Sequence, residues 1–173
     1  GTQRHLKKVG KVIELSPKRM VKIASEARNR MRKRTNKGLN ASGGGFALSM
    51  AADVRIASKN ARFNNAFIKI GVTGADIGSS YFLPRLIGLS RAAEIMYTGR
   101  FIDAGEAERI GFVSRVVNDD ELLDSAMSLA GQMLNYSPLG LRMTKEAINL
   151  SMDAPSLETL IQLENRAQAV CMT

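Results

Sequence analysis

The sequence predicts an α/β core followed by a helical C-terminal segment, and two observations support this prediction. From residue 38 onward, glycines interrupt the chain at short intervals, and the segments between them alternate between helical and strand-like hydrophobic patterns. From residue 119 onward, the patterns are helical only. We therefore divide the chain into a basic segment (1–37), an α/β core (38–118) and a helical region (119–173).

The core is predicted to consist of short elements bounded by turn and capping residues. In order, these are a helix over 46–52 that opens at three glycines, strands over 53–57 and 61–63, a glycine-rich loop over 71–78, an apolar run over 81–87, helices that end at Gly99 and Gly111, and a strand over 112–117. Ser90 is the expected N-cap of the helix that ends at Gly99. Asp103 and Glu106 form a capping box for the next helix.

Three helices are predicted in the C-terminal region. The first begins at Asp119 and repeats apolar residues at three- and four-residue spacing. Ser137-Pro138 and Pro155-Ser156 start the other two, since serine is a good N-cap and proline is favoured in the first turn. Their apolar faces predict that this region mediates oligomerisation.

The net charge of +9 belongs to one end of the chain. The first 40 residues hold 13 of the 25 basic residues and two acidic ones, a charge of +11, whereas the remainder holds 12 basic and 14 acidic residues, a charge of −2. Ser16 and Pro17 start one narrow amphipathic helix in this basic segment. The core itself is therefore predicted to be nearly neutral.

Composition argues against several classes of protein. No run of 18 apolar residues and no signal-peptide pattern is present, which predicts an intracellular protein, cytoplasmic or, in a eukaryote, in the mitochondrial matrix. A single cysteine, Cys171, and a single histidine, His5, leave neither an internal disulfide nor a zinc ligand set. No metal site is expected.

Five collinear segments of this chain resemble successive signatures of the crotonase, or enoyl-CoA hydratase/isomerase, superfamily. They are Asn40–Ser58 with its triple glycine, Gly71–Gly78, Leu83–Ala92, Tyr97–Arg100 and Ala107–Val117. The resemblance implies a core of ββα spiral turns, a homo-oligomer (trimer or hexamer) assembled partly through the C-terminal helices, and a coenzyme A thioester as substrate, with no cofactor.

The same resemblance implies roles for individual residues. Gly44 corresponds to a backbone N–H donor to the enolate oxyanion, and a side chain there would block the thioester. Gly43, Gly45 and Gly74 are expected to contact substrate. An acyl-chain groove lined by Phe67 and Ile70, with Ile68 and Phe101, is one possibility, and packing in the core is the alternative. Likewise, the triple glycine alone would also fit a simple strand-to-helix turn.

The chain departs from the family at both glutamates that hydratases use as general acid and base, because Ala47 and Phe67 stand in their places. Asp76 occupies a position where dienoyl-CoA isomerases and chlorobenzoyl-CoA dehalogenases place a functional aspartate. We expect its carboxylate to be partly desolvated and to serve as a base or nucleophile. The alternative is a local role, as an Asx-turn or the N-cap of a helix starting near Ser79.

Residues 1–37 have no counterpart of the family's N-terminal half or of the apolar strand before the triple glycine. Three interpretations of the basic segment are open: a solvated arm, a contact to CoA phosphates, and a nucleic-acid-binding arm. The segment has no aromatic side chains for base stacking, which argues against the third. The sequence thus favours an acyl-CoA isomerase or related enolate enzyme, with Gly44 and Asp76 as catalytic residues. A non-catalytic acyl-CoA- or partner-binding protein and an RNA-binding family member are the rivals.

Overall fold

The computed structural model describes residues 40–172, which belong to two compact units, one ending at Ala126 and the other beginning at Met127. The predicted helix at Ser16 and the residue His5 lie outside the described residues. In order, the elements are β1 (Asn40–Ser42), α1 (Gly44–Met50), β2 (Ile56–Ser58), β3 (Arg62–Asn64), a 3-10 helix (Ala66–Ile70), α2 (Ser79–Ile87), α3 (Leu89–Thr98), β4 (Phe101–Asp103), α4 (Ala104–Arg109), β5 (Arg115–Val117), α5 (Leu122–Met133), α6 (Pro138–Ser151) and α7 (Leu157–Cys171).

The strands of the first unit form two small sheets. In one sheet, β3 pairs in parallel with β1 and antiparallel with β4, so that Phe63 lies opposite Ala41 on one side and Ile102 on the other. In the other sheet, β2 and β5 pair in parallel. This alternation of short strands and helices confirms the predicted α/β character of the core.

Two strands were missed by the sequence analysis. A strand does precede the triple glycine, but it is the short polar segment Asn40–Ser42 and not an apolar strand of the family type. β4 was also missed; it ends at Asp103, the residue that caps α4. Both owe their strand conformation to pairing with β3, which is distant in sequence.

The core of this unit is built around three phenylalanine rings. Phe46 of α1 and Phe112 are fully buried, and their ring centroids lie 5.0 Å apart. Phe63 completes the cluster, at 5.2 Å from Phe112 and 6.3 Å from Phe46. α1 is therefore anchored by its own side chains to the sheet beneath it, which fixes the position of its N-terminus.

Arg100 links α3 to α4 at the edge of the core. Its guanidinium donates to both carboxylate oxygens of Glu106, at 2.9 and 2.6 Å, and its Nε donates to Glu94 at 2.7 Å. The hydrogen bonds that Arg100 donates to Glu106 hold the pKa of Glu106 below its usual value and raise the pKa of Arg100. These pairs join two helices that are separated in sequence by β4.

Most predicted helix ends agree with the structure. The Asp103 carboxylate accepts from the Glu106 N–H at 2.7 Å, Gly99 is the left-handed C-cap of α3, and Ser137 and Ser156 cap α6 and α7. Ser90 is not a cap, because α3 begins one residue earlier, at Leu89, after Gly88. The strands predicted over 53–57 and 112–117 shorten to Ile56–Ser58 and Arg115–Val117.

The second unit contains the end of α5 together with α6 and α7. In its described residues, 127–172, no side chain of α6 or α7 is buried. Large apolar side chains are exposed on both helices, including Ile148 at 61% and Leu157 at 73%. Oligomerisation through these helices stays a prediction.

Candidate active site

The N-terminus of α1 is the structural centre of the candidate site. β1 leads into Gly43, whose φ of 52° favours glycine, and Gly43 then precedes the first turn of α1. The Gly43 N–H donates to the Asn64 carbonyl of β3 at 3.1 Å, which ties the turn to the sheet. Because N–H groups of a first helical turn have no acceptor within the helix, the Gly44 N–H can donate to an oxyanion.

Two side chains lie against this glycine turn. A Cβ atom built on Gly43 would lie 3.6 Å from the Phe67 ring, and one built on Gly44 would lie 3.5 Å from Cδ1 of Ile77. A Cβ on Gly45 would meet nothing within 4 Å. The structure therefore brings together Gly43, Gly44, Phe67 and the residue directly after Asp76.

Asp76 lies in the exposed loop between the 3-10 helix and α2. Our expectation of a partly desolvated carboxylate is wrong for this structure, because Asp76 and both of its chain neighbours, Ala75 and Ile77, are exposed. The carboxylate Oδ1 accepts from the Ile77 N–H at 2.8 Å. The N-cap alternative is also wrong, since Gly78 is the N-cap of α2 and no side chain caps that helix end.

The backbone after Asp76 adopts a conformation that is unusual for its sequence. Ile77 has φ of 50°, and among the described residues it is the one non-glycine residue with positive φ; Gly78 follows with φ of 81°. A β-branched residue in this region costs about 1–3 kcal/mol. The conformation turns the chain into α2 and places the Ile77 side chain over Gly44.

Gly74 packs against α3. A Cβ atom there would lie 2.6 Å from the Met96 carbonyl oxygen, so packing alone explains the glycine. The Gly74 carbonyl accepts from Asn65 Nδ2 at 2.6 Å and from the Ser79 hydroxyl at 3.4 Å. Both donors are fully buried. Sequence reasoning missed Asn65 and Ser79. The available signal for Asn65 was the asparagine pair formed by the last residue of β3 and the residue after it.

The remaining predicted residues differ in their surroundings. Ala47 is buried in α1, and Phe67 is half-buried against Gly43. Neither side chain has a group that can transfer a proton. Ile70 is 75% exposed, so it is not packed in the core, and its exposure is compatible with the alternative of an acyl-chain groove. Two cations lie close to the Phe101 ring, with Arg62 Cζ at 4.5 Å and Lys69 Nζ at 5.4 Å from its centroid.

Comparison with known proteins identifies the family. The family model described as enoyl-CoA hydratase/isomerase matches residues 37–172. The chain belongs to the enoyl-CoA hydratase/isomerase family. Probable enoyl-CoA hydratase EchA12 of Mycobacterium tuberculosis is 49% identical over 126 residues, which cover 73% of this chain and 44% of that protein.

Solved structures of the family confirm the predicted crotonase-like fold. A monofunctional enoyl-CoA isomerase from M. smegmatis is 50% identical, with a TM-score of 0.66 over 71% of this chain and 57% of that one. A Thermobifida fusca protein assigned as an enoyl-CoA hydratase, in complex with acetoacetyl-CoA, is 32% identical, with a TM-score of 0.73 over 77% of this chain and 51% of that one. The chain spans about half the length of each of these three relatives.

Two features are absent from residues 40–172. None of their helices is long and apolar enough to cross a membrane. Residues 40–172 also contain no cluster of three or more histidine, cysteine or acidic side chains that could hold a metal ion.

Proposed function

We propose that the protein containing this chain binds acyl-CoA thioesters and catalyses double-bond isomerisation or a related enolate reaction. The observation that carries the proposal is the approach of the Asp76 loop to the N-terminus of α1, where Ile77 lies against Gly44. A thioester carbonyl that accepts from the Gly44 N–H would have its reacting carbons beside the loop that carries Asp76. Gly44, the predicted hydrogen-bond donor, and Asp76, the predicted acid/base, thus belong to adjoining segments of the chain.

Gly44 is proposed as an oxyanion donor. Removal of a proton beside the thioester carbonyl moves charge onto the carbonyl oxygen, and a fixed N–H stabilises that charge without reorganisation. The absence of a side chain on Gly43, Gly44 and Gly45 leaves room for the thioester. Phe67, Ile70 and Gly74 are proposed to contact the substrate from the neighbouring 3-10 helix and loop.

Asp76 is proposed as the acid/base. A single carboxylate can take a proton from C2 of a 3-enoyl-CoA and return it to C4, so isomerisation needs only one such group. Addition of water by the family's hydratase route uses two glutamates, and Ala47 and Phe67 stand at those positions. The identity to the M. smegmatis enoyl-CoA isomerase is 50% and that to the probable hydratase EchA12 is 49%, so the choice of isomerisation rests on the residues at positions 47 and 67. The acetoacetyl-CoA complex of the T. fusca protein supports an acyl-CoA ligand.

A non-catalytic acyl-CoA-binding protein is the second candidate. The exposure of Asp76 and the replacement of both glutamates favour it. It predicts that CoA thioesters bind without turnover. The proposed homo-oligomer, a trimer or hexamer, draws support from the exposed apolar faces of α6 and α7 and fits either candidate. Nucleic-acid binding through residues 1–37 stays a prediction, since that segment lies outside the described residues.

The test is Asp76→Asn in the full-length protein, with 3-hexenoyl-CoA as substrate and calorimetry for binding. We expect kcat to fall by about 100-fold or more while acyl-CoA affinity changes little, because general acid/base catalysis contributes about 10²–10⁴-fold. Asp120→Asn, the same change at another exposed aspartate, should leave kcat unchanged. Equal turnover of Asp76→Asn and the unmutated protein would contradict the proposal. If the unmutated protein binds acyl-CoA but does not turn it over, the second candidate is favoured.

A further inference from the structure

Two fully buried polar side chains hold the loop that carries Asp76. Ser79 and Asn65 are each 0% exposed, and they come from different elements, the start of α2 and the segment after β3. Both bond to the backbone between Gly74 and Asp76. The exposed carboxylate therefore belongs to a loop whose backbone is fixed from the interior.

Ser79 bonds to Asp76 in both directions. Its hydroxyl oxygen accepts from the Asp76 N–H at 3.1 Å, and its own N–H donates to the Asp76 carbonyl at 2.9 Å. The same hydroxyl donates to the Gly74 carbonyl at 3.4 Å. One buried hydroxyl thus connects the two residues that flank Ala75, and this fixes the point from which the Asp76 side chain leaves the backbone.

Asn65 holds the other end of the same segment. Its Nδ2 donates to the Gly74 carbonyl at 2.6 Å, whereas its Oδ1 is buried and has no partner among residues 40–172. A buried polar atom without a partner destabilises the folded state. The bond from Nδ2 to the Gly74 carbonyl offsets part of that loss.

We propose that Ser79 is a positioning residue for Asp76, with Asn65 fixing the neighbouring Gly74 carbonyl. The proposal rests on the proposed role of Asp76 as the acid/base. Neither Ser79 nor Asn65 touches the substrate in this account. Each acts through the loop by holding the carboxylate at a fixed distance from the N-terminus of α1. Loss of the Ser79 hydroxyl should displace Asp76 without removing any substrate contact.

The test is a double-mutant cycle on the full-length protein with 3-hexenoyl-CoA, using Ser79→Ala, Asp76→Asn and the double variant. We expect Ser79→Ala to lower kcat by about 10-fold or more and to change KM by less than about 3-fold, since small misplacements of a catalytic group have effects of this size. In the Asp76→Asn background, measured at high enzyme concentration, Ser79→Ala should cause no further loss. Ser58→Ala is the matched control, because Ser58 is also buried and belongs to β2, outside the site.

The outcomes separate this proposal from the one it rests on. The proposal is overturned if Asp76→Asn lowers kcat but Ser79→Ala does not. It is also overturned if Ser79→Ala lowers kcat by the same factor in the unmutated protein and in Asp76→Asn, because Ser79 would then not act through Asp76. If Asp76→Asn itself has no effect, both proposals are overturned. Should Ser79→Ala fail to fold, Asn65→Ala takes its place and must show the same split between kcat and KM.

Discussion

Gly74→Ala tests how closely the Asp76 loop is packed against the rest of the core. The added Cβ would lie 2.6 Å from the Met96 carbonyl oxygen, a backbone atom of α3 that cannot rotate away. Carbon and oxygen atoms in close contact normally stand about 3.3–3.6 Å apart, so the loop or the helix must move by roughly 0.7–1 Å. Such a movement also strains the 2.6 Å bond from Asn65 to the Gly74 carbonyl.

The displacement should appear in both stability and turnover. We expect Gly74→Ala to lower the free energy of unfolding by about 1–3 kcal/mol, as is usual for overpacking. We also expect kcat to fall by about 10- to 100-fold, because Asp76 lies two residues away on the same loop. Urea unfolding and steady-state kinetics on the full-length protein measure the two effects.

Gly131→Ala is the matched control for this substitution. Gly131 lies within α5, and a Cβ there would meet nothing within 4 Å. The same chemical change should therefore stabilise the protein by about 0.5–1 kcal/mol through helix propensity and leave kcat unaltered. The reasoning is refuted if Gly74→Ala unfolds at the same urea concentration as the unmutated protein and retains its turnover.

Two further predictions concern the core around the site. Glu106→Gln removes the ion pair with Arg100 and should lower stability by about 1 kcal/mol at neutral pH. The folded-state pKa of Glu106 is lowered, so this stabilisation is present above the ordinary glutamate pKa of about 4.3 and is lost as pH falls through the folded-state value. The difference in stability between Glu106→Gln and the unmutated protein should therefore disappear in acid. An equal difference in urea unfolding at neutral and acid pH would contradict this prediction. Phe46→Ala removes one ring of the buried three-ring cluster and should cost about 3–5 kcal/mol in thermal unfolding. Leu48→Ala on the same helix, 71% exposed, should stay within about 0.5 kcal/mol, and equal losses in the two variants would show that the cluster does not anchor α1.

Elements with local signals were predicted well from the sequence. Asp103 and Glu106 identified the start of α4, and Ser137 and Ser156 identified the starts of α6 and α7, because a capping side chain bonds to a backbone group only a few residues away. Gly99 identified the end of α3, since a left-handed C-cap favours glycine.

Features that depend on distant parts of the chain were predicted less well. β1 and β4 were missed because pairing with β3, which is distant in sequence, decides their conformation. The composition of the loop around Asp76 indicated burial, but the loop lies at the surface. Its backbone is hydrogen-bonded by two buried side chains, those of Asn65 and Ser79. Whether a carboxylate is solvated depends on three-dimensional neighbours, which composition does not report.

The central claim is enolate chemistry by one carboxylate, and product analysis tests it most directly. The full-length protein is incubated separately with 3-hexenoyl-CoA and with 2-hexenoyl-CoA, and the products are separated and identified by mass. The account predicts that the 3-enoyl thioester is converted to the 2-enoyl thioester and that the 2-enoyl thioester gains no water. It also predicts that Asp76→Asn slows the conversion by about 100-fold or more. Rapid formation of 3-hydroxyhexanoyl-CoA from the 2-enoyl thioester would contradict it, because hydration would then proceed without the two family glutamates.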